Sequence, residues 1–300
     1  MTHALVRSTI TSIGLAVLAV LTVFAMSSHS PSNAAARTTP SALVHHSHVY
    51  YNSADHHLAV YAWWSTGGSA AISTVGKAWV IWIHGGYWYK GAASQGAGAC
   101  QLEVTQGRAC FSLAYRLVPK AIWPAPLNDV KSGIVWVRKH LSLFGLDPAR
   151  GFIMGVSAGG LMAAIAGMQD GHFAGIIDQS GVVDPYHALR SKAQLSNPRT
   201  QTNTLRLFGG VKPRQNWKLW SSARAINYAT AAARRTPLLV IHGMADTTIN
   251  IEMSDDFTAE LRAVHYPVSY HRVPNANHYN IGTSGYAIAN GWMKAQLAYR

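Results

Sequence analysis

The stretch that most restricts the fold is a junction between two kinds of periodicity. Gly151-Phe152-Ile153-Met154 is a short apolar run, Gly155-Val156-Ser157-Ala158-Gly159-Gly160 follows it, and Leu161-Met162-Ala163-Ala164 opens a helix-forming run. A strand that turns directly into a helix, with small residues two positions either side of a serine, leaves the serine oxygen exposed at the turn. The spacing alone is a weak signal, because Gly-x-Ser-x-Gly also arises by chance in a chain rich in glycine and alanine. Its weight depends on what the rest of the chain supplies.

Around this junction the chain alternates between short apolar, β-branched or aromatic runs and longer segments of helical spacing. Val49-Tyr50-Tyr51 and Leu58 to Trp63 read as paired antiparallel strands, and Ala78 to Ile83 as a strand covered on both faces. A helix follows around Ala92 to Gln106, then a strand from Phe111 and a helix from about Leu127 to His140. Beyond the junction come strands at Gly175 to Ile177, Pro237 to Ile241 and Val268 to Val273, and helices at Ile251 to Val264 and from about Gly285. This rhythm predicts an α/β fold with a doubly wound, mostly parallel sheet. The segment from Asp184 to about Ser222 breaks it and is long enough to form a helical cap insertion. No internal repeat or later linker divides the chain, which predicts one domain over residues 48–300.

Three hundred residues, 49% hydrophobic and 12% charged, can bury a large core and exclude disorder over the whole length. The N-terminus reads differently. Arg7 is the sole charge before Arg37, and Ile13 to Met26 is nearly unbroken apolar sequence, too short to span a bilayer. With Ala34-Ala35-Ala36 after it, this predicts a secretory signal peptide over residues 1–36, a flexible leader over 37–47, and a secreted or envelope-located protein. In an oxidising compartment the two cysteines, Cys100 and Cys110, are expected to form one disulfide. A net charge of +13 favours anionic envelope polymers or membranes as electrostatic partners; the basic residues are scattered and no nucleic-acid motif is present.

A serine hydroxyl becomes a nucleophile only with a base beside it, an acid orienting that base, and donors for the oxyanion that forms. In an open parallel sheet these must lie beyond the carboxyl ends of strands. "HGMADTTI" runs off the end of the strand at Pro237 to Ile241, which makes Asp246 the acid, with Asp184, Asp255 and Asp256 as weaker rivals. "PNANHYN" follows the last strand and makes His278 the base; His271 falls inside that strand and His265 within the preceding helix. The amide of Ala158 is one oxyanion donor. "HGGYW", His84 to Trp88, follows the strand at Ala78 to Ile83 and supplies Gly85 and Gly86 as the other candidates.

Together with "AYRLVP" and "PAPLNDV", these motifs resemble the hormone-sensitive-lipase-like and feruloyl-esterase-like serine esterases of the α/β-hydrolase superfamily, over about residues 75 to 285. The resemblance implies hydrolysis of a small-molecule carboxylic ester through an acyl-enzyme, with Ser157 attacking, His278 carrying the proton and Asp246 orienting the imidazole. It implies no metal and no cofactor. Relatives often carry a third glycine where this chain has Tyr87. "HGGYW" is also similar to the loop of arylformamidases, so an amidase or peptidase activity is the second reading. A non-catalytic binding protein on the same fold is the third, and the complete set of Ser157, Asp246 and His278 argues against it. The histidines at 45, 46, 48, 56 and 57 read as a solvated leader, Trp79 and Trp82 as core, and Trp88, Trp217 and Trp220 as candidates for lining a pocket.

Overall fold

The computed structural model describes residues 44–53, 56–65, 78–191 and 197–298. The expected signal peptide lies outside them. Eight strands form one sheet: β1 (Val44–Ser53), β2 (His56–Ser65), β3 (Trp79–Ile83), β4 (Ala109–Leu113), β5 (Gly151–Val156), β6 (Gly175–Gln179), β7 (Leu238–Gly243) and β8 (Val268–Val273). Their order is β1-β2-β4-β3-β5-β6-β7-β8. β1 and β2 pair antiparallel with Val49 opposite Val60, β2 runs antiparallel to β4, and every later pair is parallel.

The helices are α1 (Ala97–Thr105), α2 (Ala125–His140), α3 (Ala158–Asp170), α4 (Pro198–Leu207), α5 (Trp217–Ser221), α6 (Glu252–Ala263) and α7 (Gly282–Ala298). Every residue of β3 is buried, as a strand covered on both faces requires. Alternate residues divide between two apolar layers. Trp79, Ile81 and Ile83 pack with residues of α2 and α3, while Val80 and Trp82 pack with Cys100 of α1 and with Ala289 and Met293 of α7. Burial of each such aliphatic or aromatic side chain contributes about 1.5–3 kcal/mol. The whole of α3 from Ala158 to Met168 is buried, and its alanines and glycines let it lie close against β5 and β6.

The strand order reverses at β3. The chain moves outward from β3 to β4, then returns to β5 on the other side, which opens a crevice beyond the carboxyl ends of β3 and β5. Cys100 and Cys110 are both fully buried and form a disulfide between α1 and β4.

Two readings of the sequence are corrected. β1 begins at Val44, inside the stretch read as leader, so His45, His46 and His48 lie on a strand and His56 and His57 on its hairpin partner. Trp88 and Trp220 line no open pocket: both are fully buried in the core, where Trp220 stacks on Phe208. Their apolar area is worth more against other rings than at a wet surface. Of the three candidate tryptophans Trp217 alone is exposed, in edge-on contact with Tyr186. The inserted segment carries α4 and α5, N-capped by the side chains of Asn197 and Asn216.

Candidate active site

Ser157 stands between the end of β5 and the start of α3 with φ 56° and ψ −122°, a conformation that L residues avoid. The surroundings hold it there. Its amide donates to Gln179 O at 2.9 Å, and its carbonyl accepts from Gly160 N at 2.9 Å. The flanking glycines are sterically required. A Cβ on Gly155 would lie 2.1 Å from Gly159 O, and one on Gly159 would lie 2.3 Å from Ile83 O. The small residues are therefore what lets strand, turn and helix close on one another.

His278 comes from the loop after β8 and Asp246 from the loop after β7, as the sequence order anticipates. Nε2 of His278 is 3.0 Å from Ser157 Oγ, and its Nδ1 is 2.7 Å from Asp246 Oδ2. Because a carboxylate can only accept, Nδ1 carries the proton and Nε2 turns its lone pair to the hydroxyl. Such an imidazole can take the proton of Ser157. Asp246 Oδ1 accepts from the amides of Thr248 and Ile249 at 2.8 and 2.9 Å. Burial works against its charge, but hydrogen bonds from His242, His278 and Ile249 outweigh burial and hold the carboxyl well below the usual carboxylate range. The rival acids lie elsewhere: Asp184 pairs with Arg224, Asp255 accepts from Tyr270, and Asp256 faces His187.

The loop after β3 backs directly onto the serine. A Cβ on Gly85 would stand 3.0 Å from Ser157 Cβ. The amide of Ala158, first residue of α3, has no acceptor one turn earlier because residues 151–156 are extended. His84 anchors the loop. Nδ1 donates to Gly85 O at 2.7 Å, the Tyr115 hydroxyl donates to His84 O at 3.0 Å, and the two rings stack 4.1 Å apart. Burial pushes the His84 imidazolium down to about 4, the bond to Gly85 offsetting part of this, so the ring is neutral at ordinary pH. A cavity of about 510 Å³ lined by Trp82, Met154, Val156, Gln179, His278 and Tyr279 adjoins the base.

Two buried groups at the site carry no role in the sequence reading. His242, quoted there only as part of "HGMAD", is fully buried, with Nδ1 2.6 Å from Ser254 Oγ and Nε2 2.9 Å from Ile249 O and 3.3 Å from Asp246 Oδ2. Facing two acceptors, Nε2 carries the proton, and Ser254 donates to Nδ1. Its position four residues before Asp246, at the end of a strand, is the signal that could have revealed it. Asp178 on β6 is also fully buried; burial pushes its carboxyl up to about 7, with His242 and the Gly181 amide pulling the other way. A lone aspartate in a strand gave no hint of this.

Residues 73–261 match the model of the BD-FAE family. The chain belongs to that family. Among curated relatives it is 29% identical to esterase LipC of Mycobacterium tuberculosis over 227 residues, 66% of this chain and 52% of LipC. It is 31% identical to esterase LipQ of the same organism over 209 residues, 66% of this chain and 49% of LipQ. The chain thus spans about half the length of the curated relatives it matches. Among solved structures it resembles a bacterial heroin esterase, with a TM-score of 0.72 at 18% identity, covering 88% of this chain and 87% of that one. A truncated carbohydrate esterase from gut microbiota gives a TM-score of 0.68 at 23% identity, over 83% and 96%. These likenesses establish the α/β-hydrolase fold that the motifs led us to expect.

Proposed function

We propose that this protein is a secreted serine hydrolase that cleaves carboxylic esters through an acyl-enzyme, with Ser157, His278 and Asp246 as its triad. One observation carries the reading: a strained, buried serine whose Oγ lies 3.0 Å from an imidazole that is itself held 2.7 Å from a buried carboxylate. The BD-FAE match and the esterase relatives support the same substrate class. The signal-like residues 1–36 support export.

In this mechanism Ser157 Oγ bonds to the ester carbonyl carbon while its proton passes to Nε2 of His278. Negative charge moves to the carbonyl oxygen, where the amide of Ala158 and one or both of Gly85 and Gly86 donate to it. The positive end of α3 adds to this stabilisation. Loss of one such donor costs about 3–4 kcal/mol in a comparable site. Collapse breaks the bond to the alcohol oxygen, which leaves with the proton from His278. Water then gives a proton to His278 as it bonds to the acyl carbon; the bond from that carbon to Ser157 Oγ breaks, Oγ takes the proton back from His278, and the acid is released. Asp246 stays ionised throughout and stabilises the imidazolium.

Turnover of p-nitrophenyl acetate and butyrate by the wild type, beside Ser157→Ala, tests the proposal. The variant should keep its fold by circular dichroism and lose ester turnover; turnover retained by the variant would refute the assignment of the nucleophile.

A further inference from the structure

Residues 185–224 contain eight lysines and arginines and no aspartate or glutamate. Three of these cations converge on one concavity. A cavity of about 330 Å³ is lined by Tyr186, Leu189, Arg190, Leu205, Lys212 and Arg214. The guanidinium of Arg190 lies 4.5 Å over the Tyr186 ring, which fixes its direction without neutralising it. Four arginines elsewhere in the fold meet carboxylates: Arg108 meets Glu103, Arg116 meets Asp129, Arg138 meets Asp170, and Arg224 meets Asp184. Among the described residues no carboxylate lies within salt-bridge reach of Arg190, Lys212 or Arg214. All three are exposed, and three like charges around one hollow raise the local potential that attracts an anion.

The hollow has a neighbour. Leu205 also lines a larger cavity of about 710 Å³, walled by Tyr89, Val118, Ile122 and Arg206. Tyr89 extends the same loop that carries Gly85 and Gly86, and Tyr87 of that loop is tied to α4 through Thr200 at 3.1 Å. The two cavities share Leu205, and the larger is walled in part by Tyr89 of the loop that carries Gly85 and Gly86.

We propose that these two cavities, entered from the side of Tyr89, are a substrate subsite for an ester whose far end bears a carboxylate or phosphate, the apolar body lying against Val118, Ile122 and Leu205 and the anion against Arg190, Lys212 and Arg214. It rests on the ester-hydrolase reading and narrows that reading to amphipathic anionic esters. Apolar burial supplies affinity, and the three cations supply selection against uncharged analogues, which leave their charges unanswered.

The test compares kcat/KM for p-nitrophenyl hexanoate with that for the same ester carrying a terminal carboxylate or phosphate, in the full-length wild type and in Arg190→Ala/Lys212→Ala/Arg214→Ala. We expect the charged ester to be preferred by about ten- to a hundredfold in the wild type, through a lower KM that rises with salt. The triple variant should bring the ratio close to one. Carboxylate and phosphate arms distinguish the two anions. Calorimetric titration of Ser157→Ala with hexyl phosphate, with hexanol as control, reads the subsite without turnover. Binding of hexyl phosphate that the same three substitutions abolish supports the subsite even if no ester is hydrolysed, in which case the hydrolase reading alone fails. Hydrolysis of both esters at equal kcat/KM, or a preference unchanged in the triple variant, overturns the subsite and leaves the hydrolase reading intact. So does inhibition by an anionic polymer with no preference for the small charged ester.

Discussion

His242 Nε2 lies 3.3 Å from Oδ2 of Asp246, the oxygen that also receives Nδ1–H of His278. The carboxylate is thus held by two imidazoles on one oxygen and by two amides on the other. A buried charge so surrounded keeps both its orientation and its ionised form. His242→Phe removes the second imidazole and should lower kcat about ten- to a hundredfold, with KM little changed, since a hydrogen bond to a charged group is worth about 1.5–3 kcal/mol. His242→Gln keeps an N–H near Nε2 and should recover part of the rate. A merely structural role predicts equal loss in both variants, and a shift in the acid limb of the pH–rate profile in neither.

Asp178 should make the protein less stable as pH rises. Its folded carboxyl is raised to about 7 from the ordinary value of 3.8. Folding therefore favours the protonated form, and the penalty for ionising it grows between those two values and is complete above the upper one. Asp178→Asn removes the titration. Denaturation midpoints at pH 5 and pH 8 should show the variant gaining on the wild type at the higher pH. An equal difference at both pH values contradicts this.

Gly159→Ala should damage the fold itself. Its Cβ would meet the Ile83 carbonyl, a backbone atom at the end of a fully buried central strand, so the clash cannot be relieved by turning a side chain. Overpacking of this kind costs about 1–3 kcal/mol or more. A drop in melting temperature together with lost turnover is expected, and unchanged stability would mean that α3 can move away from β3.

The disulfide should survive reductant until the protein unfolds. Cys100 and Cys110 are both fully buried, 10 residues apart in sequence. Thiol titration with and without denaturant checks the shielding. Cys100→Ser/Cys110→Ser should lose about 2–3 kcal/mol of stability by urea unfolding, the range for a short closed loop.

Much of this was legible in the sequence because the site is built at strand ends. Ser157, Asp246 and His278 each follow an apolar run recognisable as a strand, so their convergence needs only the sheet's topology. The position of Gly85 and Gly86, in the loop after β3, was legible for the same reason. Trp88 and Trp220 misled because a tryptophan beside a glycine loop or in an insertion has the same local sequence whether it faces water or the core. His242 and Asp178 were missed because their significance lies across neighbouring strands, in the burial of one and the partners of the other, which periodicity does not encode. The histidines at 45, 46 and 48 were assigned to a leader on polarity alone, before the ten-residue register with β2 could be seen.

The most direct measurement is labelling of the purified protein with a fluorophosphonate, followed by mass spectrometry of the modified peptide, in wild type, Ser157→Ala and His278→Ala. The account predicts a single adduct on Ser157, none in the serine variant, and much slower labelling without the imidazole. An adduct on another serine, or no adduct on folded wild-type protein, would contradict it.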